Sequence, residues 1–91
     1  MEQNKLLEVV IITPQKTVYS GTAVSATVPG TNGQFQVLIN HAPIVSTLEK
    51  GIVRVDSGSG TQTFSVGSGM IEVHSNKVSV LVESADEISV N

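Results

Sequence analysis

Short runs of β-branched residues that alternate with polar residues constrain this fold more than any other feature of the sequence. The clearest run places Val78, Val80 and Val82 at every second position, and a similar alternation extends over residues 24–28. Alternation with a period of two puts successive side chains on opposite faces of a β-strand. No segment keeps a 3.6-residue period over ten residues, as an amphipathic helix would require. The pattern therefore predicts an all-β protein.

Turn-forming residues divide the chain into short segments. Glycine, proline, asparagine and serine cluster between the apolar runs, and the Pro-Gly and Asn-Gly pairs in residues 29–33 are strong turn signals. The expected strands cover residues 6–13, 16–20, 24–28, 35–37, 51–56, 61–66, 70–73 and 78–82, with Ser84–Asp86 closing the last of these and a further edge strand at 88–90. Eight to ten strands at this spacing are typical of a sandwich or a barrel.

Residues 44–48 fit two interpretations. Pro43 before the segment and Lys50-Gly51 after it could frame a short helix. The Ile-Val-Ser-Thr run, however, consists of residues with poor helix propensity. We favour a strand.

Composition excludes several classes of partner. Charged residues make up only 14% of the chain, the net charge is −3, and the five basic residues are scattered. No basic patch is therefore expected for nucleic acid or for an anionic lipid surface. The chain has no tryptophan and one tyrosine, too few aromatic side chains for a stacking platform. The apolar runs are too short to span a bilayer, so direct lipid insertion is not expected.

Reactive side chains show no arrangement typical of a catalytic or metal site. The absence of cysteine excludes a thiolate nucleophile and a cysteine-rich zinc cage. The two histidines, His41 and His74, lack ligand spacing, and we expect His74 to be exposed at a strand end. No serine lies in a Gly-x-Ser-x-Gly elbow, and the Gly30–Gly33 segment lacks the Gly-Lys-Ser/Thr ending of a phosphate loop. We expect no catalytic residue, metal, cofactor or small-molecule substrate.

Six motifs follow one another along the chain in a recognisable order. The most specific is Gly33-Gln34-Phe35-Gln36-Val37-Leu38-Ile39-Asn40-His41-Ala42-Pro43-Ile44, a glycine, a polar residue and an apolar strand followed by a loop with His-Ala-Pro. The other five are Leu7-Glu8-Val9-Val10 with Pro14, Tyr19-Ser20-Gly21, residues 48–55, residues 64–73 and residues 78–85. In this order the six motifs resemble the N-terminal domain of the epsilon subunit of rotary F-type ATP synthases, and the resemblance covers residues 6–88.

The resemblance implies a flattened β-sandwich of two antiparallel, five-stranded sheets, with residues 1–91 forming one domain. It also implies a non-catalytic rotor subunit at the foot of the central stalk, which binds the gamma subunit and rests on the ring of membrane-embedded c subunits. Proton flow would be coupled to ATP synthesis through that assembly. The expected location is the cytoplasmic face of a bacterial inner membrane, where the chain is peripheral through its complex.

The resemblance also implies interface residues. Gln34 and His41 match family positions that face the polar loops of the c ring, and Asn32 and Asn40 flank them. Position 34 is usually acidic in the family, so glutamine removes a salt bridge there and leaves a hydrogen bond. Just beyond this loop, Ile44 and Ser46 are predicted to face the gamma subunit.

Two departures from the family pattern carry expectations of their own. Ile39 stands where a proline is often seen, so we expect the strand before the loop to extend through Ile39. The chain ends at Asn91, where the family usually continues into a two-helix hairpin. We therefore expect no C-terminal helical hairpin, and no helical brake on ATP hydrolysis supplied by this chain.

Two other functional classes compete with the rotor subunit. An unrelated β-sandwich recognition module, such as a secreted adhesion or sugar-binding domain, fits the strand pattern but not the scarcity of aromatic residues or the lack of a signal peptide. A small hydrolase with a triad among the abundant serines fits less well, because its motifs are absent. Binding to the gamma subunit would distinguish the rotor subunit from both.

Overall fold

Ten β-strands form the fold in a computed structural model that describes residues 6–88, and no helix occurs in that range. The strands are β1 (Leu7–Ile12), β2 (Thr17–Ala23), β3 (Ser25–Gly30), β4 (Gly33–Leu38), β5 (Ile44–Leu48), β6 (Gly51–Asp56), β7 (Thr61–Val66), β8 (Gly69–His74), β9 (Lys77–Val82) and β10 (Ala85–Ile88). The all-β prediction is confirmed, and the ambiguous segment 44–48 is a strand.

The strands divide into two five-stranded halves. One half has the order β4-β3-β6-β7-β10 and the other has the order β5-β8-β9-β1-β2. A single register pair, Gly30 with Leu48, joins the halves where β3 passes from β6 to β5. Because Glu49 N–H donates to the Pro29 carbonyl (2.9 Å), the chain is also tied across this corner.

One strand pair corrects the expectation that both sheets are wholly antiparallel. β1 and β9 run parallel, with Val9 opposite Val78 and Ile11 opposite Val80. A parallel pair needs a long connection, and most of the chain lies between these two strands. Local alternation predicts each strand but carries no information on the direction of a partner so distant in sequence.

The core lies between the two halves and is aliphatic. Seventeen apolar side chains within residues 6–88 are buried, and valine is the commonest among them. The inward residues of most strands follow the predicted alternation, as in β9, where Val78, Val80 and Val82 are buried. At the start of β3 the prediction is wrong, because Val24 is exposed and Ser25 is buried. Phe64 of β7 is the largest fully buried side chain and packs against Tyr19 of β2, with ring centroids 5.4 Å apart. This contact joins the two halves.

Several strand boundaries differ from the predicted ones. The turn predicted within residues 29–33 is shorter than expected, because β3 continues through Gly30 and β4 already begins at Gly33. β2 does not end at Gly21 but continues to Ala23, because the Tyr19 ring covers Gly21: a Cβ built there would lie 2.7 Å from the Tyr19 hydroxyl oxygen. An aromatic side chain lying over a strand glycine supplies the packing that the glycine lacks. The predicted closing turn at Ser84–Asp86 is also too long, since β10 already begins at Ala85 and pairs with β7. Val90, expected in this strand, lies outside the described residues.

The strand before the His-Ala-Pro loop ends one residue earlier than we expected. β4 stops at Leu38, and Ile39 lies in a turn closed by a 3.1 Å hydrogen bond from His41 N–H to the Leu38 carbonyl. Asn40 has a φ of 64° at the third position of this turn, as a type II turn requires. The second position of such a turn favours proline, so Ile39 occupies a proline-compatible turn site and not an extra strand position.

Candidate partner-binding surfaces

The four residues predicted to face the c ring lie at opposite ends of β4. Asn32 and Gln34 belong to the β3–β4 turn and the start of β4, whereas Asn40 and His41 follow its end. At ~3.3 Å per strand residue, Gln34 and Leu38 alone are about 13 Å apart along the strand. Asn32 and Gln34 therefore lie together at one end of β4, and Asn40 and His41 lie together at the other. The structure does not bring all four residues to one place.

The second of these ends is held by a pair of asparagines. Asn40 N–H donates to Asn76 Oδ1 at 2.6 Å, and Asn76 Nδ2 donates to Asn40 Oδ1 at 3.3 Å. Both residues have left-handed backbones, with φ values of 64° and 63°. Next to this pair, His41 Nδ1–H donates to the Ala42 carbonyl at 2.7 Å. These bonds fasten the β4–β5 loop to the β8–β9 turn and hold His41 at that end of the sandwich.

The first end is anchored to β5. Thr31 N–H donates to the Thr47 carbonyl at 3.2 Å, and the two threonine hydroxyl oxygens lie 2.8 Å apart. Asn32 and Gln34 on either side of Gly33 are both exposed. This end thus presents two neutral, exposed amide side chains on a hairpin turn that hydrogen bonds at Thr31 attach to β5.

The residues predicted to face gamma point toward the inside of the sandwich. Within β5, Ile44 and Ser46 share the inward face with the buried Leu48, and Ile44 packs against the core. The residue between them, Val45, faces outward and is 65% exposed, the highest value among the large apolar side chains. The apolar side chain that β5 exposes to a partner is therefore Val45, one position away from the predicted contacts Ile44 and Ser46.

Val45 belongs to an apolar patch on the outer face of β5, β8 and β9. Met70 and Leu81 lie directly opposite each other on β8 and β9, and each is 38% exposed. Ile12, on β1, lies opposite Leu81 and continues the row. We call Val45, Met70 and Leu81 the Val45 patch. A shallow depression with Ser46, Thr47 and Gly69 at its sides runs through it.

Gly69 allows the strands beneath the Val45 patch to approach closely. A Cβ built at Gly69 would overlap the Leu81 carbonyl oxygen and would lie 2.7 Å from the Val82 Cα. Both clashing atoms belong to the backbone of β9, which cannot move aside as a flexible side chain can. A glycine is therefore required where β8 meets β9.

The opposite outer face is mainly polar. Across β3, β6 and β7, Thr27, Arg54 and Thr63 form one outward row. Ile52 is the exposed apolar residue of β6 at 42%, and it lies opposite Ser65. This outer face also carries Leu38 (50% exposed) and Ile88 (39%), but they lie on different strands, opposite the polar residues Ser25 and Thr63. Val45, Met70 and Leu81 instead line one depression, and contiguous exposed apolar surface marks partner interfaces.

Reactive groups do not converge in the described part of the chain. Residues 6–88 contain no group of three side chains arranged to hold a metal ion. His41 and His74 lie in separate segments, and His74 ends β8 as an exposed residue, as predicted. No helix in this range is long and apolar enough to cross a membrane.

The sequence profile of the ATP synthase delta/epsilon chain β-sandwich domain matches residues 6–88. The chain belongs to this family. The match spans all ten strands, the β4–β5 loop with Asn40 and His41, and the Val45 patch. The family and the β-sandwich architecture implied by the sequence motifs are both confirmed.

Curated relatives with the same domain come from diverse bacteria. The chain is 41% identical over 83 residues to the ATP synthase epsilon chain of Leptospira interrogans, a match covering 91% of this chain and 65% of the relative. It is 42% identical over 80 residues to the epsilon chain of Gloeothece citriformis, covering 88% of this chain and 58% of the relative. The chain thus spans about six-tenths of the length of these relatives.

Solved structures show the same fold at lower identity. A chain in the Euglena gracilis mitochondrial ATP synthase structure containing OSCP, F1 and the c-ring superimposes with a TM-score of 0.87 at 16% identity, covering 96% of this chain and 56% of that one. A chain in the Tetrahymena thermophila mitochondrial ATP synthase central stalk and c-ring structure gives a TM-score of 0.75 at 17% identity, covering 93% and 69%.

Proposed function

We propose that the chain is a non-catalytic rotor subunit of a proton-translocating F-type ATP synthase. Residues 1–91 act as one domain, which binds gamma and the c ring and so couples proton flow to ATP synthesis. The observation that carries this proposal is the family match over residues 6–88, together with relatives named ATP synthase epsilon chain. A rigid domain between two partners fits mechanical coupling and needs no catalytic group of its own.

The Val45 patch is the proposed contact for gamma. It is adjacent to Ile44 and Ser46, and it is the part of that strand region where large apolar side chains face outward. Burying apolar surface stabilises a complex by roughly 25 cal/mol per Å² before the costs of association are counted. Val45, Met70 and Leu81 can supply this burial, whereas Ile44 already packs inside the sandwich.

The loops at the ends of β4 are the proposed contacts for the c ring. Asn32 and Gln34 at one end, and Asn40 and His41 at the other, offer polar side chains on loops. Loops at the end of a rigid sandwich commonly carry binding residues. Because Gln34 is neutral, its contribution is a hydrogen bond, with no salt bridge.

The proposed location is the cytoplasmic face of a bacterial inner membrane. The chain would be peripheral there and held through its protein partners. The bacterial relatives support this assignment. Low charge without a basic patch favours attachment through proteins over direct binding to lipid headgroups.

Titration of the full chain against its cognate gamma subunit tests the proposal, with Val45→Lys as the decisive variant. Val45 lies opposite Glu72, so lysine there forms a favourable cross-strand charge pair and the fold is retained. In a dry interface the same lysine is costly, and we expect the affinity for gamma to fall at least about tenfold, equivalent to about 1.4 kcal/mol. Isothermal titration calorimetry measures the change.

Ile52→Lys is the control on the opposite face. It replaces another exposed β-branched strand residue, 42% exposed against 65% for Val45, and should leave the affinity unchanged. If wild type and both variants are folded and wild type does not bind gamma, the rotor proposal fails. If wild type binds and Ile52→Lys alone weakens binding, gamma is bound by the β6 face, and the Val45 patch is the wrong surface.

A further inference from the structure

The tip of the β3–β4 hairpin combines an asparagine and a glycine in an arrangement suited to a covalent modification. Asn32 and Gly33 follow one another at this exposed tip, and a Cβ built at Gly33 would meet nothing within 4 Å. Within residues 6–88 the Asn32 side chain makes no hydrogen bond, although the adjacent Thr31 is bonded to Thr47. The Asn32 carboxamide is thus free to turn toward the backbone of Gly33.

We propose that Asn32 is a site of spontaneous deamidation through a ring closed by the backbone nitrogen of Gly33. The nitrogen attacks Asn32 Cγ and loses its proton, the side-chain nitrogen leaves as ammonia, and a five-membered succinimide forms. Water then opens the ring at either carbonyl and gives aspartate or isoaspartate. Glycine favours this reaction because it has no side chain to obstruct the attack. Gly33 opens β4 opposite Gly30, so ring closure requires this last pair of the hairpin to open, and such local opening is easiest at a loop tip.

The other asparagines of the described chain provide a contrast within the same molecule. Asn40 and Asn76 bond to each other through their side chains, and their backbones are fixed in the left-handed region. They precede His41 and Lys77, whose side chains hinder the attacking nitrogen. Ring closure at either residue would require the two loops to separate. Deamidation should therefore be selective for Asn32.

The product differs from the original protein in charge and, for one isomer, in backbone length. Aspartate or isoaspartate at position 32 adds one negative charge, so the net charge of −3 becomes −4. Isoaspartate also inserts a methylene into the main chain beside Gly33, at the point where β4 begins. If this turn contacts the c ring, as proposed above, the modification places a carboxylate two residues from Gln34; this consequence rests on the proposed function, whereas the chemistry does not.

Incubation of the folded full chain in mildly alkaline buffer tests the proposal, because base removes the proton from the attacking nitrogen. Intact mass follows the replacement of NH2 by OH, and peptide mapping locates it. We expect conversion at Asn32 to be at least about tenfold faster than at Asn40 or Asn76, equivalent to about 1.4 kcal/mol in the barrier. An Asn32→Gln variant should show no acidic product from this peptide over the same period, because glutamine must close a larger ring.

A sample unfolded in urea separates sequence from structure. Conversion at Asn32 in both the folded and the unfolded samples, with Asn40 and Asn76 protected only in the folded one, supports the proposal. Conversion at Asn32 only after unfolding would overturn it, because the hairpin would then hold the turn in an unreactive geometry. Equal conversion at all three asparagines of the folded chain would overturn the claimed selectivity. Neither outcome depends on binding to gamma or to the c ring.

Discussion

Asn40 and Asn76 show how single residues determine the shape of the β4–β5 loop. Each has a positive φ, which residues other than glycine rarely adopt, and asparagine tolerates this backbone conformation better than most residues do. Their mutual hydrogen bonds then join two loops that are 36 positions apart in sequence. The position of His41 follows from this clamp, because the left-handed Asn40 completes the type II turn whose closing hydrogen bond is donated by His41 N–H.

Replacing Asn40 by alanine and by glycine separates backbone strain from side-chain bonding. Both variants lose the amide side chain, but alanine must also adopt the left-handed backbone, which costs roughly 1–2 kcal/mol, whereas glycine adopts it freely. We expect Asn40→Ala to be about 1 kcal/mol less stable than Asn40→Gly. Urea unfolding measures the difference. Equal stability of the two variants would mean that the backbone at this turn is not a constraint.

Predictions for single residues succeeded where the local sequence determines exposure. They failed where a contact with another side chain, or the backbone conformation of the next residue, determines the structure. The exposed position of His74 follows from the alternation of β8 and its terminal turn. The extension of β2 through Gly21 depends on the Tyr19 ring, a contact that no propensity encodes. At Ile39, the turn is set by the φ of the following residue, so the absence of proline did not lengthen the strand.

At the scale of whole strands, a single glycine determines how closely β8 and β9 pack. Gly69 begins β8, and its missing side chain lets this strand approach the carbonyl of Leu81 on β9. The close approach lies within the strand pair itself, where Gly69 is opposite Val82.

A pair of glycine-to-alanine variants tests this close approach. Gly69→Ala forces its Cβ against two backbone atoms of β9, and overpacking of this kind costs roughly 1–3 kcal/mol. Gly60→Ala is the control, because a Cβ there meets nothing within 4 Å and the residue has no positive φ. Its effect should be neutral or stabilising by about 0.4–1 kcal/mol. Thermal unfolding compares the two; a neutral Gly69→Ala would contradict the structural account.

Strand positions were predictable from sequence, but their partners and the exposed register of β5 were not. A period of two identifies β9 with little ambiguity, yet it cannot show that β9 lies parallel to β1. In β5, Ile44 and Val45 are both β-branched and apolar, so their order alone does not show which one faces the core. The buried Leu48 fixes that phase, because residues at even spacings from it share the inward face.

At the scale of the whole molecule, the sandwich presents three distinct surfaces. One face carries the Val45 patch, the other face is mainly polar, and each end of β4 carries polar loops. Apolar burial on one face and hydrogen bonding at the ends suit two different partners at once. If the domain transmits torque, as proposed, these contacts must lie on a body that keeps its shape, and an aliphatic core joined across both halves favours this.

The sequence motifs identified the family because they are spread over almost the whole domain and occur in the order typical of the family. No single motif was decisive, but their combined span of residues 6–88 coincides with the family match. The interface residues were less predictable, since they depend on which side of each strand faces outward and on which loops meet in space. Asn32 and His41 are close in sequence but lie at opposite ends of β4, and Val45 was missed beside Ile44.

Coupling in a reconstituted enzyme is the most direct test of the rotor proposal. The cognate ATP synthase, stripped of its epsilon chain and restored to lipid vesicles, should hydrolyse ATP with little proton pumping. Adding the 91-residue chain should restore the number of protons pumped per ATP hydrolysed, and Val45→Lys should restore it only at higher protein concentration. Restoration by wild type is the predicted result. Failure of a folded chain to raise pumping per ATP at any concentration would contradict the central claim.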